Sequence, residues 1–276
     1  MITIHKEPLN FYVDKLKKGE YFSFPGFSDA EWLAMEKCKG NEETRTGGGQ
    51  FFTHLIGDQL TEALKINEPN YFKAVPIGMW EEKWVYGAER MEKFLGENNI
   101  PEPWEFYERD MVTDECARDA LIGPWIRQLR KMDVVLISNK FVSEIKYFLP
   151  YKYFVEIPKL NVYMEENWLE RYVKKILDYG KPAVYIFSAG FAAAPLIGKL
   201  HGKIPNSWFL DLGSIWDAFV GIGNQRGWRA ALYEKRWIWH EWIKLVLKDI
   251  EFDMKWAESI LENGLNRKRI NNLENG

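Results

Sequence analysis

Four short apolar runs in the second half of the chain constrain the fold more than any other feature. Residues 133–138 read DVVLIS, apolar at nearly every position. A strand with one face in water alternates apolar and polar residues. An unbroken run of this length fits a strand covered on both faces, as in a parallel sheet packed between helices. YFVEIP (153–158), PAVYIFSAG (182–190) and SWFLDLG (207–213) are runs of the same kind. Between them lie EENWLERYVKKILDYG (165–180) and FAAAPLIGKLHG (191–202). In the first, Trp168, Tyr172, Val173, Ile176 and Leu177 make one apolar stripe at helical spacing, and Gly180 supplies a stop. The alternation predicts half of a Rossmann-like α/β fold: a mostly parallel sheet flanked by helices.

The rest of the chain is assigned around that frame. YFSFPGF (21–27) is strand-like and leads into a helix from about Asp29 to Lys39. GDQLTEALKI (57–66) reads as a helix, KAVPIGMW (73–80) as a short buried strand, and 81–130 as mostly helical with Gly and Pro interruptions. Residues 228–263 read as long helix broken once. With 276 residues and no evident linker, the expected organisation is a Rossmann-like domain over 1–225, with a helical extension over 226–276 packed on it.

Composition excludes some classes. The net charge of -3 gives no general attraction to nucleic acid or acidic membranes. Two cysteines, Cys38 and Cys116, form neither a disulfide framework nor a zinc pattern, which fits a reducing compartment. The opening MITIHKEPLN lacks the basic start and apolar core of a signal peptide, and no apolar run is long enough to span a bilayer, so a cytoplasmic location is expected. The aromatic content, with 13 Trp, is high. It suits either a large core or stacking platforms for sugars and bases. NQRGWRAALYEKRWIWHEW (224–242) mixes arginines and lysines with four of these tryptophans, and reads as an amphipathic helix with Trp in the core or as a surface for an acceptor, single-stranded nucleic acid or a protein. The four histidines show no metal-ligand spacing, TGGGQFFTH (46–54) has the glycines of a hinged lid or an exposed loop, and NRKR (266–269) reads as a solvated tail.

Three segments carry candidate chemistry. In Ser28-Asp29-Ala30-Glu31, Ser-x-x-Glu is the capping-box pattern, with Glu31 reaching back to the Ser28 amide. The same two carboxylates, Asp29 and Glu31, sit at a strand-to-helix junction, where both can approach one hard divalent ion that takes its other ligands from phosphate and water. These two uses compete for Glu31. In FSAGFAAAP (187–195), Ser188, Ala189 and Gly190 form a small-residue turn before a helix, which allows close backbone approach to a nucleotide or serves as a tight turn. In FLDLGSIWDAF (209–219), Asp211 and Gly213 stand at a strand's C-terminal end, the ligand-binding edge of open α/β sheets. Asp217 follows as a candidate base, or as a helix cap.

Together these segments resemble the GT-D glycosyltransferases, a family first known as a domain of unknown function. The similarity in ordering spans about residues 20–220. It rests on the Asp-x-Glu at a strand end, the small-residue turn of 187–195, and the Asp-x-Gly strand end at 211–213. The resemblance implies a Rossmann-like fold, a nucleoside-diphosphate sugar as donor with a UDP-sugar foremost, and Mn²⁺ or Mg²⁺ on Asp29 and Glu31. It implies transfer of the sugar to a hydroxyl of a glycan, a glycosylated protein or a hydroxylated base in nucleic acid. Ser188, Ala189, Gly190, Asp211 and Gly213 would face the donor, with Asp217 as base. Where the family pattern reads Arg-x-x-Asp-Gly-Glu, this chain has Gly26 and Ala30 in place of the Arg and the Gly, and Ser214 stands where some relatives carry His. The alternative is a non-catalytic α/β binding module acting through the Trp-rich surface. A nicotinamide enzyme is disfavoured, because no G-x-G-x-x-G follows a strand. The sequence leaves the oligomeric state and the stereochemistry of transfer open.

Overall fold

A computed structural model describes residues 1–37, 51, 53–80, 87–221 and 227–263. The apolar runs of the second half are strands β5 (Val134–Ser138), β6 (Tyr153–Glu156), β7 (Val184–Ser188) and β8 (Trp208–Asp211). All are parallel, in the order β6-β5-β7-β8, with β2 (Ser23–Phe24) alongside β8. The runs of β5, β7 and β8 are buried on both sides, as their hydrophobicity requires, whereas β6 at the sheet's edge buries Val155 and leaves Glu156 exposed. Val135, Ile137, Tyr185 and Phe187 pack on one face, against Trp168, Tyr172 and Ile176 of the helix Trp168–Tyr179. Val134, Leu136, Val184 and Ile186 pack on the other. Gly180 ends that helix in the left-handed region (φ 53°), where its lack of a Cβ removes the steric penalty.

Three further strands make a second parallel group: β1 (Ile2–His5), β3 (Ala74–Val75) and β4 (Trp104–Glu108), in the order β1-β4-β3. Backbone hydrogen bonds stitch the two groups together. Ser23 N donates to Asn70 O (2.8 Å), Phe72 N to Ser23 O (2.8 Å), Ala74 N to Pro25 O (2.9 Å) and Phe27 N to Ala74 O (2.7 Å). Eight strands therefore run side by side in the order β6-β5-β7-β8-β2-β3-β4-β1, and all their C-terminal ends lie along one edge.

The sheet differs from the sequence expectation in the first half. The described part of 81–130 does hold helices, such as Gly87–Glu97 and Gly123–Leu129, but it also holds β4. Trp104-Glu105-Phe106-Tyr107-Glu108 has the aromatic content that favours a pleated surface. It pairs on both sides, with β1 and β3, and buries Phe106 completely. KAVPIGMW gives only the two-residue β3, followed by the 3₁₀ turn Ile77–Trp80. The C-terminal region is broken twice rather than once, into Gly227–Glu234, Arg236–Val246 and 254–263. Its Trp239, Trp242, Ile243, Val246 and Leu261 join the same core as Val134, Ile186 and Leu210. The Trp-rich stretch is thus mainly core. Trp239 Nε1 donates to Ala218 O (3.0 Å) and Trp242 Nε1 to Ala117 O (2.7 Å), while Trp237 is exposed. No helix among the described residues is long and apolar enough to cross a membrane. The glycine run of 46–50, Cys38 and NRKR lie outside the described residues.

Candidate active site

The C-terminal edge of the sheet carries a lateral belt of hydrogen bonds that links five strand ends. Ser138 Oγ, at the end of β5, donates to Ser188 O (3.2 Å) at the end of β7. Ser188 Oγ donates to Gly213 O (2.5 Å), just beyond β8. Asp211, the last residue of β8, accepts from Gly213 N at Oδ1 (2.9 Å) and from Gly26 N, beyond β2, at Oδ2 (3.2 Å). Arg109, the residue after β4, closes the belt. Its Nη2 lies 3.3 Å from Asp211 Oδ2, and its Nη1 donates to Ser28 Oγ.

Two glycines make room for that guanidinium. A Cβ on Gly26 would stand 2.5 Å from Arg109 Cζ, from Arg109 Nη1 and from Asp211 Oδ2. A Cβ on Gly213, whose φ is +56°, would stand 2.8 Å from Arg109 Nη2. Positions 26 and 213 therefore exclude any larger residue while Arg109 keeps its place.

Ser28 begins the helix Asp29–Lys37, and the Glu half of the capping box is formed: Ser28 N donates to Glu31 Oε2 (2.9 Å). The two carboxylates of the motif have different environments. Asp29 is exposed in the first turn, whereas Glu31 is buried, at 9% exposure. Burial pushes the Glu31 carboxyl up to about 7, with Asp211 and Asp29 adding to the rise and Arg109 opposing it. Burial also raises Asp211, against the pull of Arg109 and the two glycine amides. Three carboxylates thus share this corner with the guanidinium of Arg109. For the two buried ones, Glu31 and Asp211, burial outweighs the pull of Arg109, and Glu31 shows this most clearly.

Of the remaining predicted residues, Ser188 ends β7 at this edge, with Ala189 and Gly190 just beyond it. Ser188 and Ala189 are half-buried, and Gly190 is exposed with φ +54°. Asp217 begins the short helix Asp217–Val220, and its Oδ2 lies 3.4 Å from Nη1 of the buried Arg229. Arg229 Nη2 donates to Ser214 Oγ (2.9 Å) and its guanidinium lies 5.2 Å from the ring centre of Trp228. Sequence reasoning missed Arg109 and Ser138, and placed Arg229 only within the Trp-rich segment. The signal for Arg109 is an aromatic run ending in Glu-Arg-Asp, which reads as a strand's C-terminal end only once Trp104–Glu108 is a strand rather than helix. At Ser23 a different triad can be set aside. Its Oγ is 2.7 Å from His201 Nδ1, and His201 Nε2 is 3.1 Å from Glu68 Oε2. Ser23 is fully buried, so this array ties β2 to the end of the helix Ala193–Leu200 and has no access to a substrate.

No family model matches the sequence, and no curated protein matches it either. Solved structures do. A selenomethionine-substituted domain of unknown function 1792 superposes with a TM-score of 0.54 at 13% identity, over 93% of this chain and 94% of the other. A protein described as a new glycosyltransferase of the same domain type from Streptococcus sanguinis gives 0.54 at 12% identity, over 94% and 98%. The fold is that of domain of unknown function 1792. A third structure of this domain, described as having a distinct glycosyltransferase fold, gives 0.53 at 12% identity, over 93% and 94%. The likeness spans nearly the whole of each chain, so the Rossmann-like architecture expected from the apolar runs extends to the added first-half strands as part of one fold.

The charge balance also bears on a metal ion. Among the described residues, no group of three or more His, Cys, Asp or Glu side chains is arranged to hold one. A hard divalent ion needs fewer protein ligands when phosphate oxygens and water complete its shell. Asp29 lies close enough to raise the Glu31 carboxyl, and Glu31 is buried without enough positive charge around it. Asp29 and Glu31 are the residues of this corner that would hold one.

Proposed function

We propose that this chain is a metal-dependent glycosyltransferase that moves a sugar from a nucleoside-diphosphate sugar, a UDP-sugar foremost, to an acceptor hydroxyl. The observation that carries the reading is the corner where β2, β4 and β8 end. It combines buried, undercompensated carboxylates, a fixed guanidinium and close-packed glycine backbone at the ligand-binding edge of a parallel sheet. The likeness to a fold described for a glycosyltransferase supports it. A divalent ion bound by Asp29 and Glu31 would supply positive charge that neutralises the leaving diphosphate. The turn Ser188-Ala189-Gly190 presents backbone to the nucleotide, and the belt from Ser138 to Asp211 holds that turn against β8. In the transfer, the bond from the sugar's anomeric carbon to the diphosphate oxygen breaks, and the electron pair leaves with the diphosphate. The acceptor oxygen bonds to the same carbon and gives its proton to Asp217, whose carboxylate Arg229 fixes in place. Acceptors of this reading are a glycan, a glycosylated protein or a hydroxylated nucleobase.

The test is a thermal-shift screen of UDP, GDP, CDP and dTDP, each with and without Mn²⁺. A ligand bound only by the folded chain raises its melting temperature. The expected result is stabilisation by one diphosphate that requires the metal and is lost in Asp29→Asn. No shift with any pair in a folded sample overturns the reading.

A further inference from the structure

The departure at Gly26 has a partner 83 positions later in the chain, at Arg109. We propose that Arg109, delivered by β4, is the residue that contacts the donor's diphosphate, and that Gly26 and Gly213 are glycines in order to admit it. The inference rests on the glycosyltransferase reading and assigns a residue within that same site.

Three observations support it. The first is position. Arg109 follows the last residue of β4, so the sheet brings its guanidinium to the edge where β2 and β8 also end. The second is exclusion. The space in front of residue 26 is filled by the Arg109 guanidinium, since a Cβ there would stand 2.5 Å from Cζ and Nη1. One long side chain fits this corner, and in this chain it comes from position 109. The third is preorganisation. Asp211 holds Nη2, Ser28 Oγ holds Nη1, and Arg109 N donates to Val75 O (3.0 Å), so head and backbone are both fixed before any ligand arrives. The side chain keeps 12% of its surface exposed, so the corner is not sealed. A planar guanidinium held in this way matches phosphate oxygens better than a lysine ammonium, because its paired N–H groups are already aligned. The ligand chemistry this selects is a diphosphate, with its charge spread over several oxygens, rather than the nucleoside.

The experiment measures, by calorimetry in Mn²⁺, the binding of the diphosphate found in the thermal-shift screen and of its parent nucleoside monophosphate. Wild type, Arg109→Ala, Arg109→Lys and Gly26→Ala are compared. Arg109→Ala is expected to weaken the diphosphate by about thirty-fold or more, the range for a lost charge-assisted hydrogen bond, with the monophosphate changed by less than about three-fold. Arg109→Lys should fall between wild type and Arg109→Ala. Gly26→Ala removes no polar group and should displace the guanidinium, so it should copy Arg109→Ala. It also serves as the test if Arg109→Ala does not fold. A folded Arg109→Ala, or a folded Gly26→Ala, that binds the diphosphate like wild type overturns the inference. Equal weakening of diphosphate and monophosphate also overturns it, because that is the mark of a structural clamp. A wild type that binds no diphosphate overturns the functional reading itself, and this assignment with it.

Discussion

Glu31 makes the strongest test of the electrostatics, because its effect can be read without any substrate. Its carboxyl sits at about 7 in the folded chain, against an ordinary value of 4.5. Below about pH 4.5 the group is neutral in both states and makes no difference to stability. As pH rises, the unfolded chain gives up its proton first while the folded chain keeps it, so ionisation favours unfolding. Between those two values stability falls by about 1.4 kcal/mol per pH unit, and the loss is complete once the folded group has also ionised, at about 3 kcal/mol in all. Glu31→Gln is neutral at every pH and keeps an oxygen that can accept from Ser28 N, so the helix start is preserved. Urea unfolding of both proteins from pH 4.5 to 8.5, with a chelator present, isolates the term, since every other titrating group is common to the pair. The variant should match wild type at the acid end and exceed it by up to about 3 kcal/mol at the alkaline end. Added Mn²⁺ should close the gap from the wild-type side, because an ion on the carboxylate supplies the charge it lacks. A difference that stays flat with pH, or that favours wild type as pH rises, would show that Glu31 is not a buried, undercompensated acid.

Two further outcomes follow from other buried groups. Arg229→Met should lower stability by about 3 kcal/mol in urea, because it removes a guanidinium that both Asp217 and Ser214 contact in a buried network, and Asp217→Asn in the same chain should restore part of the loss. A Met variant as stable as wild type would mean that the pair contributes little to docking the helix Gly227–Glu234. Burial pushes the Cys116 thiol up to about 12, so peptide mapping should find it unmodified by iodoacetamide at pH 8 in the native chain and modified in urea. Rapid native labelling at that position would contradict the packing around the helix Asp114–Arg118.

The legible part of the fold was the part whose signal is local. DVVLIS and VYIFS announce buried parallel strands because each of residues 134–137 and 184–187 meets a core on one side of the sheet or the other. The helix Trp168–Tyr179 announces itself through its stripe and its Gly180 stop. β1, β3 and β4 carry no such run. Ile2–His5 has one exposed member and three half-buried ones, β3 is two residues long, and β4 mixes two glutamates with three aromatics. Their strand character comes from pairing with each other and from the hydrogen bonds of Ala74 to Pro25 and Phe27, contacts that no short window contains. The Trp-rich stretch was undecided for a related reason. Trp239 and Trp242 belong to the core because Ala218 and Ala117 lie opposite to take their N–H groups, and those partners are 21 and 125 residues away.

The same limit divides the site. Asp211, Gly213 and Ser188 could be placed because each follows a strong strand at the edge where α/β sheets bind ligands. The opening ambiguity at Ser28-Asp29-Ala30-Glu31 could not be resolved from within the motif, since capping and ion binding ask for the same carboxylate. The structure adds a third group to the contest. Arg109 takes the Ser28 hydroxyl, so Ser28 serves the site as well as the helix, and Glu31 keeps the backbone amide with one oxygen. The absence of an arginine at position 26 is a loss only when the motif is considered alone. Once β4 is a strand, the residue after it reaches the same corner, and a side chain at 26 is what the corner can no longer hold. A change at either position therefore has to be judged with the other, since neither Gly26 nor Arg109 has a separate account in sequence.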